Sequence, residues 1–388
     1  PDRALATASA LQRETLGPGE LILDAYLGPR GSVLLAVTRS DCRFIEWPPE
    51  EAMVTKVRHC HQLLSTPPTT AGRLADPVHA EVRDHLREEL FGEVEDLLAG
   101  RRRIFASPDG VLNLLPLATL LSRGPTTEVV RLPSATLLSW SRDRKGDLAP
   151  ASASPSSPAR ILAVGAERSR EGLALPGAAA EVRMLAQRYR GVEARIGTAA
   201  RGRLGECELL HVAAHAEVND RNPWRSVIVL DGDRPGSWLY ADEIAQLRLS
   251  ARLAVLSSCE SAGGRVLSGE GVLGLGQAFL SAGVQTVVAT LWPVDDLAAL
   301  HFMRRFYAAL ESDGSVARAL RRAQQDLRGE AAFSHPYYWA GYVVLGASDG
   351  SLDLAARPRL DRPLARGLLA AFAGLGLLAF LVFRRRRV

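Results

Sequence analysis

Two chemically capable side chains each follow an apolar run of strand length in this sequence. His215 closes the run Leu-Leu-His-Val-Ala-Ala-His, and Cys259 follows Leu-Ala-Val-Leu-Ser-Ser. The carboxyl ends of strands in an open parallel sheet form a shared binding edge, so the two side chains can meet there. A thiol beside an imidazole base is an activated nucleophile. The pair therefore predicts a Cys–His dyad of the kind that cysteine peptidases use.

The residues around Cys259 favour a reactive thiol. Glu-Ser-Ala-Gly-Gly follows it, and small residues let a peptide backbone approach closely and let backbone amides point at an oxyanion. Free cysteine is often a buried and inert residue. That interpretation suits Cys207, which precedes a strand instead of following one and has no such loop behind it.

A metal site is the weaker interpretation of the histidines. His211 and His215 share one strand face. A zinc-peptidase helix, however, needs the Glu of HExxH as its base, and the residues between these histidines are Val-Ala-Ala. His211, flanked by Leu and Val, is interpreted as a core histidine, and neither a metal nor an organic cofactor is expected.

A nucleotide site is a further alternative. The run Gly269-Glu-Gly-Val-Leu-Gly274 matches GxGxxG, and Asp295 follows later in the chain. A dinucleotide motif begins in the turn that leaves its strand, whereas this run starts well after the strand predicted to end near Leu256. The sequence favours a loop entering a closely packed helix at this run and leaves nucleotide binding open.

Composition limits the class of protein. The chain has 388 residues and an apolar fraction of 47%, enough for one large domain or two. Its net charge is +4, and the arginines at 384–387 supply that excess, so no general nucleic-acid surface is indicated. Four scattered cysteines fit a reducing compartment. The catalytic part is therefore placed in the cytoplasm.

The pattern of apolar runs divides the chain at residues 141–160, a stretch rich in Pro, Ser and Ala that reads as a linker or long surface loop. The predicted organisation is an N-terminal half at 1–140, this linker, a catalytic half at 161–348, a juxtamembrane linker at 349–366, an anchor at 367–383 and a basic tail at 384–388. Strands are predicted at 20–27, 32–38, 103–106, 160–164, 208–212, 227–230, 253–256 and 284–291. Helices are predicted at 78–98, 178–189, 272–282 and 297–310.

Strands alternate with helices in the second half. That alternation predicts an α/β fold with a mostly parallel sheet and helices on both faces.

The segment at 367–383 carries no charge and is closed by four arginines. It is near the short end of the roughly 20-residue length that spans a bilayer, and we predict a single-pass C-terminal anchor. Arg357, Arg359, Arg362 and Arg366 balance the four arginines of the tail, so the positive-inside count leaves the membrane side open. The chain begins at Pro1, and a longer parent protein is expected.

Several segments, in order, resemble the CHAT domain family of caspase-like cysteine peptidases: HVAAHAEV, LAVLSSCESAGG, GEGVLGLGQAFLSAGVQTVVATLWPVDD, FYAAL and HPYYWAGYVVLG. The resemblance covers residues 78–346. It implies a caspase-like sandwich with a degenerate first half and a catalytic second half, and it implies tetratricopeptide repeats upstream of Pro1.

By this resemblance, His215 matches the family's catalytic histidine and Cys259 its nucleophile. The family has Gly after the histidine where this chain has Ala216. The resemblance implies that the amides of Ala216 and Cys259 form the oxyanion hole. Alanine supplies the same N–H but adopts a positive φ at a higher free-energy cost.

The stretch Leu291-Trp-Pro-Val-Asp-Asp296 is similar to a Trp-containing segment of separases, in which an Asp selects Arg before the scissile bond. Asp296 is the matching carboxylate, and Trp292 and Asp295 accompany it in the predicted substrate-binding set. Asp295 is also placed to cap a helix beginning at Leu297.

The sequence thus predicts a membrane-anchored cysteine endopeptidase that cleaves a protein substrate after a basic residue. A catalytically inactive signalling scaffold of the same fold is the main alternative, because Ala216 departs from the family pattern. Nucleotide binding is the second alternative.

Overall fold

The computed structural model describes most of the chain, and all elements named below belong to one unit, Pro1–Ala355. The residues described are 5–68, 77–122, 124, 126–143, 159–166, 168–219, 221–258, 269–346, 352 and 354–357. Cys259, residues 144–158 of the predicted linker and the predicted anchor and tail lie outside them.

Thirteen strands of the described chain form one mixed sheet. They are β1 (Glu20–Tyr26), β2 (Ser32–Val37), β3 (Cys42–Trp47), β4 (Arg103–Ser107), β5 (Glu128–Arg131), β6 (Ile161–Gly165), β7 (Val192–Ile196), β8 (Leu209–Glu217), β9 (Val227–Val229), β10 (Trp238–Tyr240), β11 (Leu253–Ser258), β12 (Thr286–Thr290) and β13 (Tyr342–Gly346).

The sheet order is β10-β9-β8-β11-β12-β13-β5-β4-β1-β2-β3, and β6 pairs with both β7 and β8. The ladders from β7 through β6, β8 and β11 to β12 are parallel. Those of β13 with β5, β5 with β4 and β4 with β1 are parallel too. Strands from before and after the predicted linker therefore share one sheet, and the prediction of a mostly parallel sheet is confirmed.

Helices connect these strands. They are α1 (Ala8–Ala10), α2 (Glu50–Ser65), α3 (Pro77–Phe91), α4 (Glu95–Leu98), α5 (Leu117–Leu121), α6 (Ala135–Asp143), α7 (Pro176–Arg188), α8 (Ala241–Ala245), α9 (Gly269–Ser281), α10 (Asp296–Asp313) and α11 (Val316–Arg328).

Two groups of helices cover the sheet. In one, α10 packs on α7 and α11, which contact β6, β7, β8, β5 and β13. In the other, α9 contacts β12 and α8. All residues of β6, β12 and β13 are buried, and this requires cover on both faces because successive side chains point to opposite faces.

The chain turns sharply between α10 and α11, and this turn sets how the two helices pack. Gly314 ends α10 with φ of 66°, a left-handed conformation that glycine adopts without strain. Ser315 then caps α11 by accepting from the amide of Arg318. Local sequence signals therefore fix this turn.

Described residues of both predicted linkers, at 141–160 and 349–366, differ from an irregular linker. Residues 141–143 form the end of α6 instead of a loop. In the predicted juxtamembrane linker at 349–366, Leu352 and Leu354 are buried in the core. The carbonyl of Ala355 there accepts from the amide of Arg190. Residues 352, 354 and 355 of this linker are thus in contact with the rest of the unit.

No helix within the described ranges combines the length and the apolar character needed to cross a bilayer. The predicted anchor at 367–383 is not among those ranges.

Candidate active site

The pairing register between β8 and β11 is relevant to the two predicted catalytic positions, because each of them follows the last pair of this ladder in sequence. The strands are parallel, and the last pair in their ladder is Ser258 with Ala214. His215 follows Ala214, and Cys259, outside the described residues, follows Ser258. Neighbouring strands lie about 4.8 Å apart. The last pair described in this ladder thus immediately precedes both predicted positions in the sequence.

Strand β8 extends beyond both the predicted strand at 208–212 and the end of the apolar run at His215, and continues to Glu217. Residues of β8 up to Ala213 pair with β6, and from His215 onward the strand pairs antiparallel with β9, His215 opposite Val229. The strand is longer than expected because β9 supplies new backbone partners. His215 thus lies where β8 exchanges a parallel neighbour for an antiparallel one.

The imidazole of His215 is buried, with 4% of the residue exposed. Its Nδ1 atom has no hydrogen-bond partner among the described residues. Buried polar atoms are normally paired. A partner among the remaining residues, or a bound ligand, would satisfy this nitrogen.

The alanine that departs from the family pattern sits in ordinary strand geometry. Ala216 pairs with Ile228 in the ladder of β8 with β9, so its backbone is extended. The positive φ that would strain an alanine is therefore not adopted in this structure.

A crevice lies beside the carboxyl-terminal parts of β8 and β11. The space between its walls, part of which is open solvent, is about 190 Å³, and a water-sized sphere does not fit between them. It is lined by Leu175, Ala178, Glu181, Ala213, Ala214, Ser257 and Asp296. An occupant would require the walls to separate, and it would meet two carboxyl groups.

Asp296, at the start of α10, closes this crevice against the first turn of α7. Its Oδ2 accepts from the amide of Gly177 at 2.9 Å, and its buried Oδ1 has no hydrogen-bond partner among the described residues. A Cβ atom built on Gly177 would lie 2.4 Å from the carboxyl carbon of Asp296. Only glycine leaves room for this carboxyl group.

The other two residues of the predicted substrate-binding set have different surroundings. Asp295 caps α10, accepting from the amides of Leu297 and Ala298 at 3.0 Å. Trp292 is 2% exposed, and its indole donates to the carbonyl of Tyr337. The structure therefore places the side chain of Trp292 in the core, and its part in substrate binding stays a prediction.

Sequence reasoning missed Glu181, which lines the crevice from α7. It is 1% exposed, accepts from the hydroxyl of Ser257 at 3.0 Å, and has its Oε2 3.0 Å from Nε2 of His211. His211 is fully buried, and its Nδ1 lies 2.9 Å from the hydroxyl of Tyr307. The interpretation of His211 as a core histidine is confirmed. Within the described part of the chain, no three His, Cys, Asp or Glu residues gather as metal ligands would.

The structure describes Cys42, Cys60 and Cys207. The last two are poor nucleophiles, and Cys42 lies in the N-terminal half. Burial raises the pKa of Cys207 to about 12 and that of Cys60 to about 11. Since the thiolate is the reactive form, both thiols are unreactive near neutral pH. Cys42 is exposed on β3, far along the sheet order from β8.

The GxGxxG run has helical backbone, because α9 begins at Gly269. The expectation of a loop at this run was therefore wrong. Gly274 packs closely, since a Cβ atom there would lie 2.7 Å from Pro223. This glycine therefore allows α9 to pack closely against its neighbour. In a dinucleotide site, by contrast, the glycines form the turn between a strand and the following helix.

Comparison with known proteins gives one family match. The sequence model of the CHAT domain family matches residues 75–347 of this chain. Tetratricopeptide repeat protein 28 of Mus musculus is 40% identical over 109 residues, and its Homo sapiens counterpart is 37% identical over the same length. The aligned stretch is 28% of this chain and 4% of either relative.

Among solved structures, the Saccharomyces cerevisiae separase–securin complex is similar to this chain, with a TM-score of 0.58 and 10% sequence identity. The match covers 87% of this chain and 30% of that chain. At this identity the likeness concerns the fold alone, which is a mixed α/β fold with a mostly parallel sheet.

Proposed function

Because this chain belongs to the CHAT domain family, we propose that it is a cysteine endopeptidase in which Cys259 is the nucleophile and His215 the general base. One observation carries the proposal. The ladder of β8 with β11 stops at Ser258 and Ala214, the residues immediately before the two positions. The buried Nδ1 of His215 supports it, because this atom has no hydrogen-bond partner among the residues that the structure describes.

The chemistry follows the usual order for a thiol nucleophile. His215 takes the proton of the Cys259 thiol, and the sulfur attacks the scissile carbonyl carbon. Backbone amides near Ala216 and Cys259 would hold the oxyanion of the tetrahedral intermediate. The intermediate collapses, the leaving amine takes the proton from His215, and water then hydrolyses the thioester.

We propose that the substrate is a protein with a basic residue before the scissile bond. Asp296 has a buried carboxyl oxygen without a partner among the described residues, and it lines a crevice beside the proposed dyad. A guanidinium group can donate two hydrogen bonds to a carboxylate. Such a ligand would satisfy the unpaired oxygen once the crevice opens.

A thiol-reactive activity probe separates a peptidase from an inactive scaffold of the same fold. In the full chain, we expect the probe to label Cys259 and labelling to be lost in His215→Ala. Labelling of the exposed Cys42 should be equal in both proteins and provides the internal control. If Cys259 reacts no faster than Cys42 in the native protein, the scaffold is the correct assignment.

We also propose that the wider protein carries further segments. Tetratricopeptide repeats upstream of Pro1 fit the name of the two relatives and would supply a surface for a protein partner. Within this chain, residues 1–140 would serve as a degenerate half and residues 161–348 as the catalytic half. These divisions rest on the family resemblance.

The proposed membrane anchor is testable by truncation. Deleting residues 364–388 should release the protein from membranes into the supernatant and leave probe labelling of Cys259 intact, because the deleted segment is apolar enough to span. Sedimentation after a high-salt wash measures this.

Replacing residues 384–387 by glutamine in the full chain is the matched control, since it removes the charges but keeps the apolar segment. This variant should stay in the membrane pellet. A truncated chain that still sediments, or that no longer folds, would contradict the anchor.

A further inference from the structure

A chain of buried polar side chains runs behind the candidate site. We refer to Tyr307, His211, Glu181 and Ser257 as the buried polar chain. The consecutive contacts are 2.9 Å between Tyr307 and His211, 3.0 Å between His211 and Glu181, and 3.0 Å between Ser257 and Glu181. No member is more than 2% exposed.

The direction of the hydrogen bonds can be worked out from the tyrosine. Burial raises the pKa of Tyr307 well above its usual value, with Tyr189 and Glu181 adding to the shift. Its hydroxyl therefore stays protonated and can donate to Nδ1 of His211. In the neutral imidazole, the ring proton is then on Nε2, facing Glu181. That contact is short but poorly directed for a hydrogen bond.

Stability alone does not account for the buried polar chain. Burying a carboxylate and an imidazole costs desolvation free energy, and apolar residues of the same volume are often equally or more stabilising. The position of the buried polar chain indicates another role. Each of its members lies on a helix or strand that contains a proposed site residue, directly precedes one, or contacts one. His211 precedes His215 on β8, Ser257 precedes Cys259 on β11, Tyr307 is on α10 with Asp296, and Glu181 is on α7 with Gly177.

The end of β11 needs such support. Only Leu253, Ala254 and Val255 pair with β12, whereas the ladder with β8 continues to Ser258. The last three residues of β11 are thus held by backbone hydrogen bonds on one side. The hydroxyl of Ser257, bound to Glu181, ties this end of the strand to α7.

We propose that the buried polar chain positions the end of β11, and therefore the proposed nucleophile, relative to His215 on β8. Glu181 is the central positioning residue, since it joins Ser257 to His211. This inference rests on the proposed function of Cys259 and His215.

Glu128 on β5 provides a matched control. It is fully buried, and it also accepts from a serine hydroxyl, that of Ser315 at 3.2 Å. Its other partners are Arg103 and Arg318, and none of these residues lies on an element of the candidate site. Replacing Glu128 by Gln breaks buried ion pairs. This variant therefore measures how the loss of a core carboxylate away from the candidate site affects stability and the reactivity of Cys259.

The experiment measures the rate of alkylation of Cys259 by iodoacetamide across a range of pH in the full chain, quantified by peptide mass spectrometry. We expect Glu181→Gln to slow this reaction roughly tenfold or more, because glutamine keeps an acceptor oxygen for Ser257 but removes the charge that strengthens a buried hydrogen bond. The midpoint of its pH profile should rise, because a displaced thiol is less well paired with His215. Glu128→Gln should lower the thermal unfolding midpoint but leave the rate and pH profile of Cys259 at wild-type values.

Non-additivity gives a second measurement. Ser257→Ala should slow alkylation of Cys259, and adding Glu181→Gln to it should have little further effect, because Ser257→Ala already removes the contact that Glu181→Gln weakens. Wild-type rates and pH profile in Glu181→Gln would overturn the inference and leave the proposed function intact. A wild-type Cys259 that reacts no faster than Cys42 would overturn the proposed function and this inference together.

Discussion

Replacing Cys259 by alanine is expected to abolish peptide-bond cleavage, and His215→Ala is expected to lower kcat/KM by roughly four orders of magnitude or more. The first change removes the only atom that forms the covalent bond to substrate. The second leaves the thiol without the base that takes its proton. Because the two groups act as one unit, the double variant should be little worse than either single variant.

Cys207→Ala is the matched control for this prediction. It removes a thiol from the same half of the chain, but one whose pKa burial raises to about 12, so activity should persist. Cleavage of a protein or peptide substrate, together with thermal unfolding, separates lost catalysis from lost folding. Turnover retained in Cys259→Ala and lost in Cys207→Ala would reverse the assignment.

The two strands that carry the proposed dyad could be predicted because their burial is visible in sequence. A strand covered on both faces reads as a short continuous apolar run, and Leu253 to Leu256 is such a run. The predicted end of this strand at residue 212 was wrong, because the last residues of β8 pair with β9, which the sequence of β8 itself does not reveal. The presence of these strands was thus easier to predict than their boundaries.

The neighbouring aspartates show the difference between local and long-range contacts. Asp295 caps its own helix through amides two and three residues ahead, and a contact of this range can be predicted from sequence. Asp296 accepts from Gly177, far back in the chain, and no local pattern predicts that contact. Trp292 was assigned to a pocket from segment similarity, which carries no information on where a side chain points.

Glu181 was missed although a signal existed. Ala178, Glu181, Val182 and Leu185 form the buried face of α7, with the spacing of an apolar stripe. A carboxylate on such a stripe must find a partner in the core. The partner could not be predicted, because Ser257 and His211 belong to other strands of the sheet.

The second large effect concerns Asp296→Asn, which should lower kcat/KM for peptides with Arg before the scissile bond by roughly two orders of magnitude or more, the scale of a broken desolvated charge pair. Peptides with a neutral residue there should change much less. An asparagine oxygen can still accept from the amide of Gly177, so the contact with α7 is retained while the charge is removed. Profiling with a peptide library measures both.

Asp295→Asn makes the same charge change one residue earlier, at a helix cap that asparagine also fills, and should leave the preference for Arg unaltered. Gly177→Ala keeps both charges but puts a methyl group where the Asp296 carboxyl now lies. It should therefore weaken cleavage after Arg by raising KM, because the carboxylate is displaced and not neutralised. A wild-type profile that prefers Asp, Met or another uncharged residue before the scissile bond would refute the role of Asp296. The assignment of Cys259 and His215 would stand, since it depends on the register of β8 and β11 and not on the crevice.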